Sequence, residues 1–278
     1  MRILITGGNG NLAKMIFNGL HNNHIIHIPN RQQLNILDLS ALKNYLELHT
    51  FDILIHTAIS GGRRTKEETG EVTHTNLLMW ENILTFADRF KMIIQFDSGA
   101  IYDRATDIMN RGEEDLFTVP TDYYGFSKYV IYKRSLQYSN VYNFRVFNIF
   151  HINEEPDRFI KKCFLAKQNN TEITIFEDKY FDFVYEDDFI KIIKHYVDNT
   201  NNQAVLHKTI NICYDTKYKL SEIAKIILGN NNNIIVNDTS CLKNYCGNSA
   251  KLYSLGLQLD GIRKSLDKFI ELNMSRIN

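Results

Sequence analysis

The chain opens on a strand that breaks through glycines into a helix. Arg2-Ile3-Leu4-Ile5 is an apolar, β-branched run, and Thr6-Gly7-Gly8-Asn9-Gly10-Asn11-Leu12-Ala13 follows it directly. The backbone must bend sharply at Gly7 before a helix can run from Leu12 to about Leu20. At Gly10 the missing side chain leaves backbone N–H groups open to an anion, and Ala13 lets the helix lie close to the strand. The positive end of the helix dipole faces the same point. A G-x-x-G-x-x-A spacing in this strand-to-helix context predicts a dinucleotide corner, with Gly7, Asn9, Gly10, Asn11 and Leu12 around a pyrophosphate.

Apolar runs alternate with helical periods through the first half of the chain. Strands are expected at Ile25–Ile28, Asp52–His56 and Met92–Phe96, with helices at Ala41–Leu48 and Thr75–Phe86. This alternation predicts an α/β fold, a Rossmann-type doubly wound parallel sheet whose strand ends share one ligand-binding edge. After a strand at Asn143–Phe150 the rhythm loosens, with a helix at Arg158–Lys167 and a strand at Glu172–Phe176. One of Asp187 and Asp188 is expected to cap a helix over Phe189–Tyr196, and Ser221 to open a helix ending near Gly229. The expected organisation is a dinucleotide-binding domain over residues 1–150 and a smaller, interleaved C-terminal α/β substrate lobe over residues 151–278.

Lys plus Arg and Asp plus Glu both number 32, so there is no basic field for a nucleic acid. No apolar run reaches membrane-spanning length and the first residues form a strand, so a cytoplasmic protein without membrane attachment is expected. Cys163, Cys213, Cys241 and Cys246 lack metal-ligand spacing and read as reduced thiols. No metal is expected at the scattered histidines, His21, His24 and His27 included. The Asn230–Asn233 tract reads as a polar loop.

Tyr124 and Lys128 stand four residues apart, on one face of a helix if the segment is helical. A phenol is a poor acid at neutral pH unless a neighbouring cation favours its anion, and Lys128 is such a cation. Tyr129 and Lys133 repeat the spacing. Context selects Tyr124, which opens its helix after Pro120 and follows Ser98, a hydroxyl at a strand end able to hold a substrate oxygen.

The stretches Thr6–Ala13, His56-Thr57-Ala58, Ser98–Tyr102, Tyr124–Lys128, Arg145-Val146-Phe147-Asn148 and Asp182–Asp188 together resemble the extended short-chain dehydrogenase/reductases that act on nucleotide sugars as epimerases, dehydratases and reductases. The resemblance implies a catalytic Ser98, Tyr124 and Lys128, the latter two also touching the cofactor and the first two the substrate. It further implies Asn148 as a substrate contact, Phe147 beside the nicotinamide, Asp38 and Leu39 flanking adenine, Thr57, Ala58 and Ile59 along the cofactor, and Asn76 behind the site. It also implies a homodimer through helices around Thr75–Phe86 and Phe126–Tyr138.

Asn30 and Arg31 follow the second strand where an acidic residue would bind a ribose diol, so NADP(H) is expected, with NAD(H) as second choice. The family's dehydratases carry an acid pair where this chain has Gly99 and Ala100, and its epimerase-reductases a cysteine where it has Ala100. NADPH-dependent reduction of a 4-keto nucleotide-diphosphate sugar remains, closest in type to dTDP-4-dehydrorhamnose reductases. The alternatives are a 4-epimerase that retains NAD and a non-catalytic NADP-binding sensor. Two positions depart from the family: its diphosphate-binding arginine is Phe181 here, and a glycine is His151. Either Arg158, Lys161 or Lys162 binds a diphosphate in their place, or the substrate is atypical.

Overall fold

The computed structural model describes residues 1–62, 67–229, 233–237 and 242–275, which leaves Cys241 and most of the Asn230–Asn233 tract outside the described residues. In chain order the regular elements begin β1 (Arg2–Thr6), α1 (Asn11–Leu20), β2 (Ile25–His27), α2 (Leu39–Leu48), β3 (Ile53–His56), α3 (Gly70–Leu84) and β4 (Met92–Ser98). They continue with β5 (Ile108–Arg111), α4 (Tyr123–Ser135), β6 (Val141–Val146), β7 (Ile149–Phe150), α5 (Phe159–Asn169), β8 (Ile173–Ile175), β9 (Val184–Tyr185) and α6 (Glu186–Asp198). The last are β10 (Thr209–Ile212), α7 (Leu220–Leu228), β11 (Ile234–Val236), β12 (Tyr245–Gly247), α8 (Ala250–Tyr253) and α9 (Gly261–Ser275).

Six strands form one parallel sheet in the order β10-β6-β4-β3-β1-β2, flanked by helices. Ile3, Leu4 and Ile5 are wholly buried, as a strand covered on both faces requires. Leu4 packs with Leu54, Ile93, Trp80, Ile83 and Ile131 in the core beneath α2, α3 and α4. The register sets Thr6 opposite His56 and His56 opposite Gln95, so β1 and β3 end together and β4 runs three residues further, to Ser98. From β1 the chain crosses to β2 on one side and later to β3 on the other. Such a reversal opens a crevice at the carboxyl ends of the strands, where Gly7 and Thr57 lie.

Two compact units share the chain in segments. The first comprises Met1–Asp103, Glu114–Arg145 and Ile190–Ile210; the second comprises Arg104–Glu113, Val146–Phe189 and Asn211–Asn278. The chain passes between the units five times, three times out of the first and twice back into it. Local rhythm marks where the chain leaves the sheet, but not that the second half of α6 returns to it. There Ile190 Cγ2 lies 2.5 Å from where a Cβ on Gly19 would sit, so α1 and α6 touch through that glycine.

The expected strand Asn143–Phe150 is two strands, β6 and β7, interrupted at Phe147 and Asn148. In the second unit, three short parallel pairs (β7/β9, β8/β11 and β5/β12) carry the helices. Asp187 and Asp188 lie inside the first turn of α6, not before it. Asp188 turns to α9, accepting from the N–H groups of Asp260 and Gly261 and from the Tyr214 hydroxyl at 2.7 Å. Among the described residues, no helix is long and apolar enough to cross a membrane.

Candidate active site

Gly7 has φ +73°, and a Cβ there would lie 2.9 Å from the Ala58 backbone, so the β1 and β3 turns meet through it. Gly8, a filler position in the sequence pattern, is as constrained: a Cβ would stand 2.4 Å from the Ile28 carbonyl oxygen, and its N–H donates to Pro29 O at 3.1 Å. Gly10 differs. Its Cβ would meet only the Gly7 carbonyl oxygen, at 3.2 Å, so the space beyond it is free of protein. No side chain caps α1 and its first turn holds no acidic residue. The positive helix end thus has no acidic residue in its own first turn, and the cradle fits a pyrophosphate.

The loop after β3 is fastened from below. Thr57 Oγ1 donates to Thr6 O at 2.6 Å, while Thr6 Oγ1 accepts from Thr57 N–H at 3.2 Å and lies 2.8 Å from His56 Nδ1. Burial, with the Lys128 charge adding to it, pushes His56 down to about 3, so this ring stays neutral. Ile59 is left exposed at the loop tip. Asn76 is buried and braces the loop against α4. Its Oδ1 accepts from Ser60 N–H at 2.8 Å, and its Nδ2 donates to Ser60 O at 3.0 Å and to Ser127 Oγ at 3.1 Å.

Asp122 starts α4 by accepting from Gly125 N–H at 2.8 Å. Gly125, Lys128, Ile131, Tyr132 and Ser135 recur at helical spacing as its buried stripe. A Cβ on Gly125 would lie 2.9 Å from Ala100 O, so the helix seats directly on the turn Gly99–Tyr102 that Ser98 opens. Ser98 Oγ accepts from Ala100 N–H at 3.2 Å. The Tyr124 ring lies against Gly62, where a Cβ would be 3.0 Å from the ring. Glu68 joins the two segments, accepting from Gly62 N–H at 2.6 Å and Tyr124 N–H at 3.3 Å.

Lys128 is buried, donates to Phe96 O at 2.5 Å and holds Nζ 5.7 Å from the Tyr124 ring centroid. Burial pushes its ammonium down to about 8, against the pull of Asp97. Ser98, Tyr124 and Lys128 all belong to the first unit, at the end of β4 and in the first turns of α4. Gly8, Glu68 and Gly125 belong to this framework without having stood out in the sequence. Gly125, between two expected site residues, carried the only available hint.

Asn30 Oδ1 accepts from Gln32 N–H and Gln33 N–H at 2.9 and 3.0 Å, shaping the turn that exposes Arg31. Among the described residues, Arg31 makes no hydrogen bond or ion pair. Asp38 caps α2 through Ser40 N–H and Ala41 N–H at 2.9 and 3.1 Å, with Leu39 exposed beside it. In the second unit Phe147 is buried against Gly247 and Tyr245, its ring 5.2 Å from the tyrosine's. Arg158 donates to Asn148 Oδ1, whereas the Lys161 ammonium is tied to Ile152 O and Asn273 Oδ1. Phe181, in place of the family arginine, packs 5.0 Å from Phe183 and 5.1 Å from Tyr245.

No curated protein sequence matches the chain. Solved structures share its fold over nearly its whole length. GDP-mannoheptose C4 reductase MlghC from Campylobacter jejuni, with NADP bound, is 18% identical, with a TM-score of 0.80 over 99% of this chain and 98% of that one. dTDP-4-dehydrorhamnose reductase from Bacillus anthracis, in complex with NADP, is 17% identical, with a TM-score of 0.80 over 98% of each chain. UDP-N-acetylglucosamine 4-epimerase from Bacillus cereus is 19% identical, also at 0.80, over 99% of each. The family model for NAD dependent epimerases and dehydratases matches residues 3–213, which span the glycine corner, the Ser98 turn and the Tyr124–Lys128 helix. The chain belongs to the NAD dependent epimerase/dehydratase family.

Proposed function

We propose that this protein reduces a 4-keto nucleotide-diphosphate sugar with NADPH. The observation that carries the reading is the buried Lys128 ammonium beside the Tyr124 ring, on a helix seated against the Ser98 turn. Gly7, Gly10 and the uncapped start of α1 would hold the cofactor's pyrophosphate, and Asn30 and Arg31 a 2′-phosphate. Bound there, NADPH supplies the hydride. Tyr124 gives its phenolic proton to the substrate oxygen as negative charge develops on it, Ser98 holds that oxygen by hydrogen bonding, and Lys128 favours the phenolate left behind. Asn148 is the substrate residue of the second unit, with Arg158, which donates to its Oδ1, and Lys162 as the cations for a diphosphate. The reductases from Campylobacter and Bacillus anthracis, both described with NADP, support this reading through the shared fold.

A 4-epimerase that keeps NAD is the second reading, favoured by the equally similar Bacillus cereus structure. One preparation separates the two. Purified protein without added nucleotide should carry no stoichiometric absorbing cofactor, and should oxidise NADPH with one of the UDP-, GDP-, CDP- or dTDP-linked 4-keto sugars. Tightly held NAD, with interconversion of C4 epimers, would replace reduction by epimerisation. NADPH binding with no turnover on any of these sugars would leave a sensor. A homodimer through α3 and α4 is part of the proposal, supported by the exposed Leu78, Tyr123 and Phe126 on those helices. Light scattering should give twice the chain mass.

A further inference from the structure

Behind the Ser98 turn lies a buried charge that the proposed reaction does not use directly. Asp97, the residue before Ser98 on β4, is 4% exposed. One carboxylate oxygen accepts from Ser98 N–H at 2.8 Å, and the other from Arg145 Nε at 2.9 Å. Arg145, wholly buried on β6, also donates to the Tyr102 hydroxyl at 2.6 Å. Its guanidinium lies 4.7 and 5.0 Å from the Tyr102 and Tyr132 ring centroids. Tyr102 ends the turn that Ser98 begins, and Tyr132 is one turn of α4 beyond Lys128, so the guanidinium binds together the two elements that carry the catalytic groups.

A buried ion pair in a sheet core is costly compared with apolar packing, so stability alone does not account for it. We infer that Asp97 is a positioning residue: clamped by Arg145, its carboxylate fixes the Ser98 backbone and supplies the negative charge that keeps the buried Lys128 an ammonium. The groups facing Lys128 are Asp97 on β4, His56 on β3 and Tyr124 on its own helix, with Phe96 O taking its hydrogen bond. His56 is neutral, so Asp97 is the group in this set whose negative charge can act on Lys128. Burial pushes the Asp97 carboxyl up, and the Arg145 guanidinium, the Lys128 ammonium and the two N–H donors, one on each oxygen, pull the other way.

The inference rests on Lys128 acting in the proposed reaction, but its test needs no substrate. In protein carrying 13C,15N-lysine, the Lys128 side-chain signal is assigned by its loss in K128M and titrated by NMR, in wild type and in D97N. The wild-type midpoint is expected near 8, and the D97N midpoint at least about one unit lower, the size of shift a nearby opposite charge produces. D97E, which keeps the charge, should restore most of it. An unmoved midpoint in folded D97N overturns the inference. If D97N does not fold, the wild-type titration decides: a midpoint below about 7 means that burial prevails and Asp97 does not hold the proton. A shifted midpoint in a protein that never turns over a 4-keto sugar would remove the proposed function and leave the Asp97 to Lys128 coupling standing.

Discussion

Helix α4 carries two Tyr-x-x-x-Lys pairs, and they have opposite fates. Lys133 sits 5.3 Å from the Tyr129 ring centroid and Lys128 sits 5.7 Å from that of Tyr124, so ring-to-ammonium geometry hardly distinguishes them. Surroundings do. Lys133 is exposed, in water that screens its charge, whereas Lys128 is buried beside Asp97 and bound to Phe96 O. In a medium of low polarity the same charge acts far more strongly on its neighbour. A spacing that recurs by accident becomes chemistry only where the fold buries it.

The sharpest way to break the comparison is to remove each phenol. Y124F should lower turnover by about 10²–10⁴-fold while leaving NADPH affinity intact, whereas Y129F should stay within about twofold. Equal losses in the two variants would end the distinction. G125A attacks the seat of the first pair alone. Its new Cβ would meet Ala100 O, Pro120 Cβ and Asp122 Oδ2 at 2.9, 2.9 and 2.8 Å, so about 1–3 kcal/mol of stability should be lost in denaturant melts, with reduced kcat.

Acidity gives a third test. Lys128 is charged below about 8 and neutral above it, so kcat should be level near pH 7 and fall about tenfold per unit once pH has passed that value. Stability should move the other way in the same range. Between about 8 and the ordinary lysine value the unfolded chain binds the proton that the folded one has released, so the Lys128 contribution to stability rises with pH. The smallest effect is expected furthest from both pairs. R31A should weaken NADPH binding about tenfold, the loss of one charge-assisted contact, and leave NADH binding unchanged; equal weakening would remove the 2′-phosphate role.

The legible parts of the molecule are those where a local pattern forces a local shape. The β1 corner, the alternating strands and helices, and the placing of Tyr124 one turn before Lys128 all follow from residues close in sequence. Asp38 and Asn76 show where such reading stops. Their expected roles came from resemblance alone, and that Asp38 caps α2 and Asn76 braces a loop against α4 was not readable from it. Asp188 likewise has the sequence position of a cap for α6, yet serves α9, 72 residues on.

The sequence by itself determined a parallel α/β sheet and an anion cradle at its amino-terminal corner, because hydrophobic period and the missing Cβ atoms act within one or two turns of chain. Only the tertiary structure decided which lysine is buried, which glycines are pinned by a neighbour and which charge stands behind Ser98. Burial and dielectric depend on residues brought together from β3, β4, α4 and β6, and a linear pattern carries no measure of either.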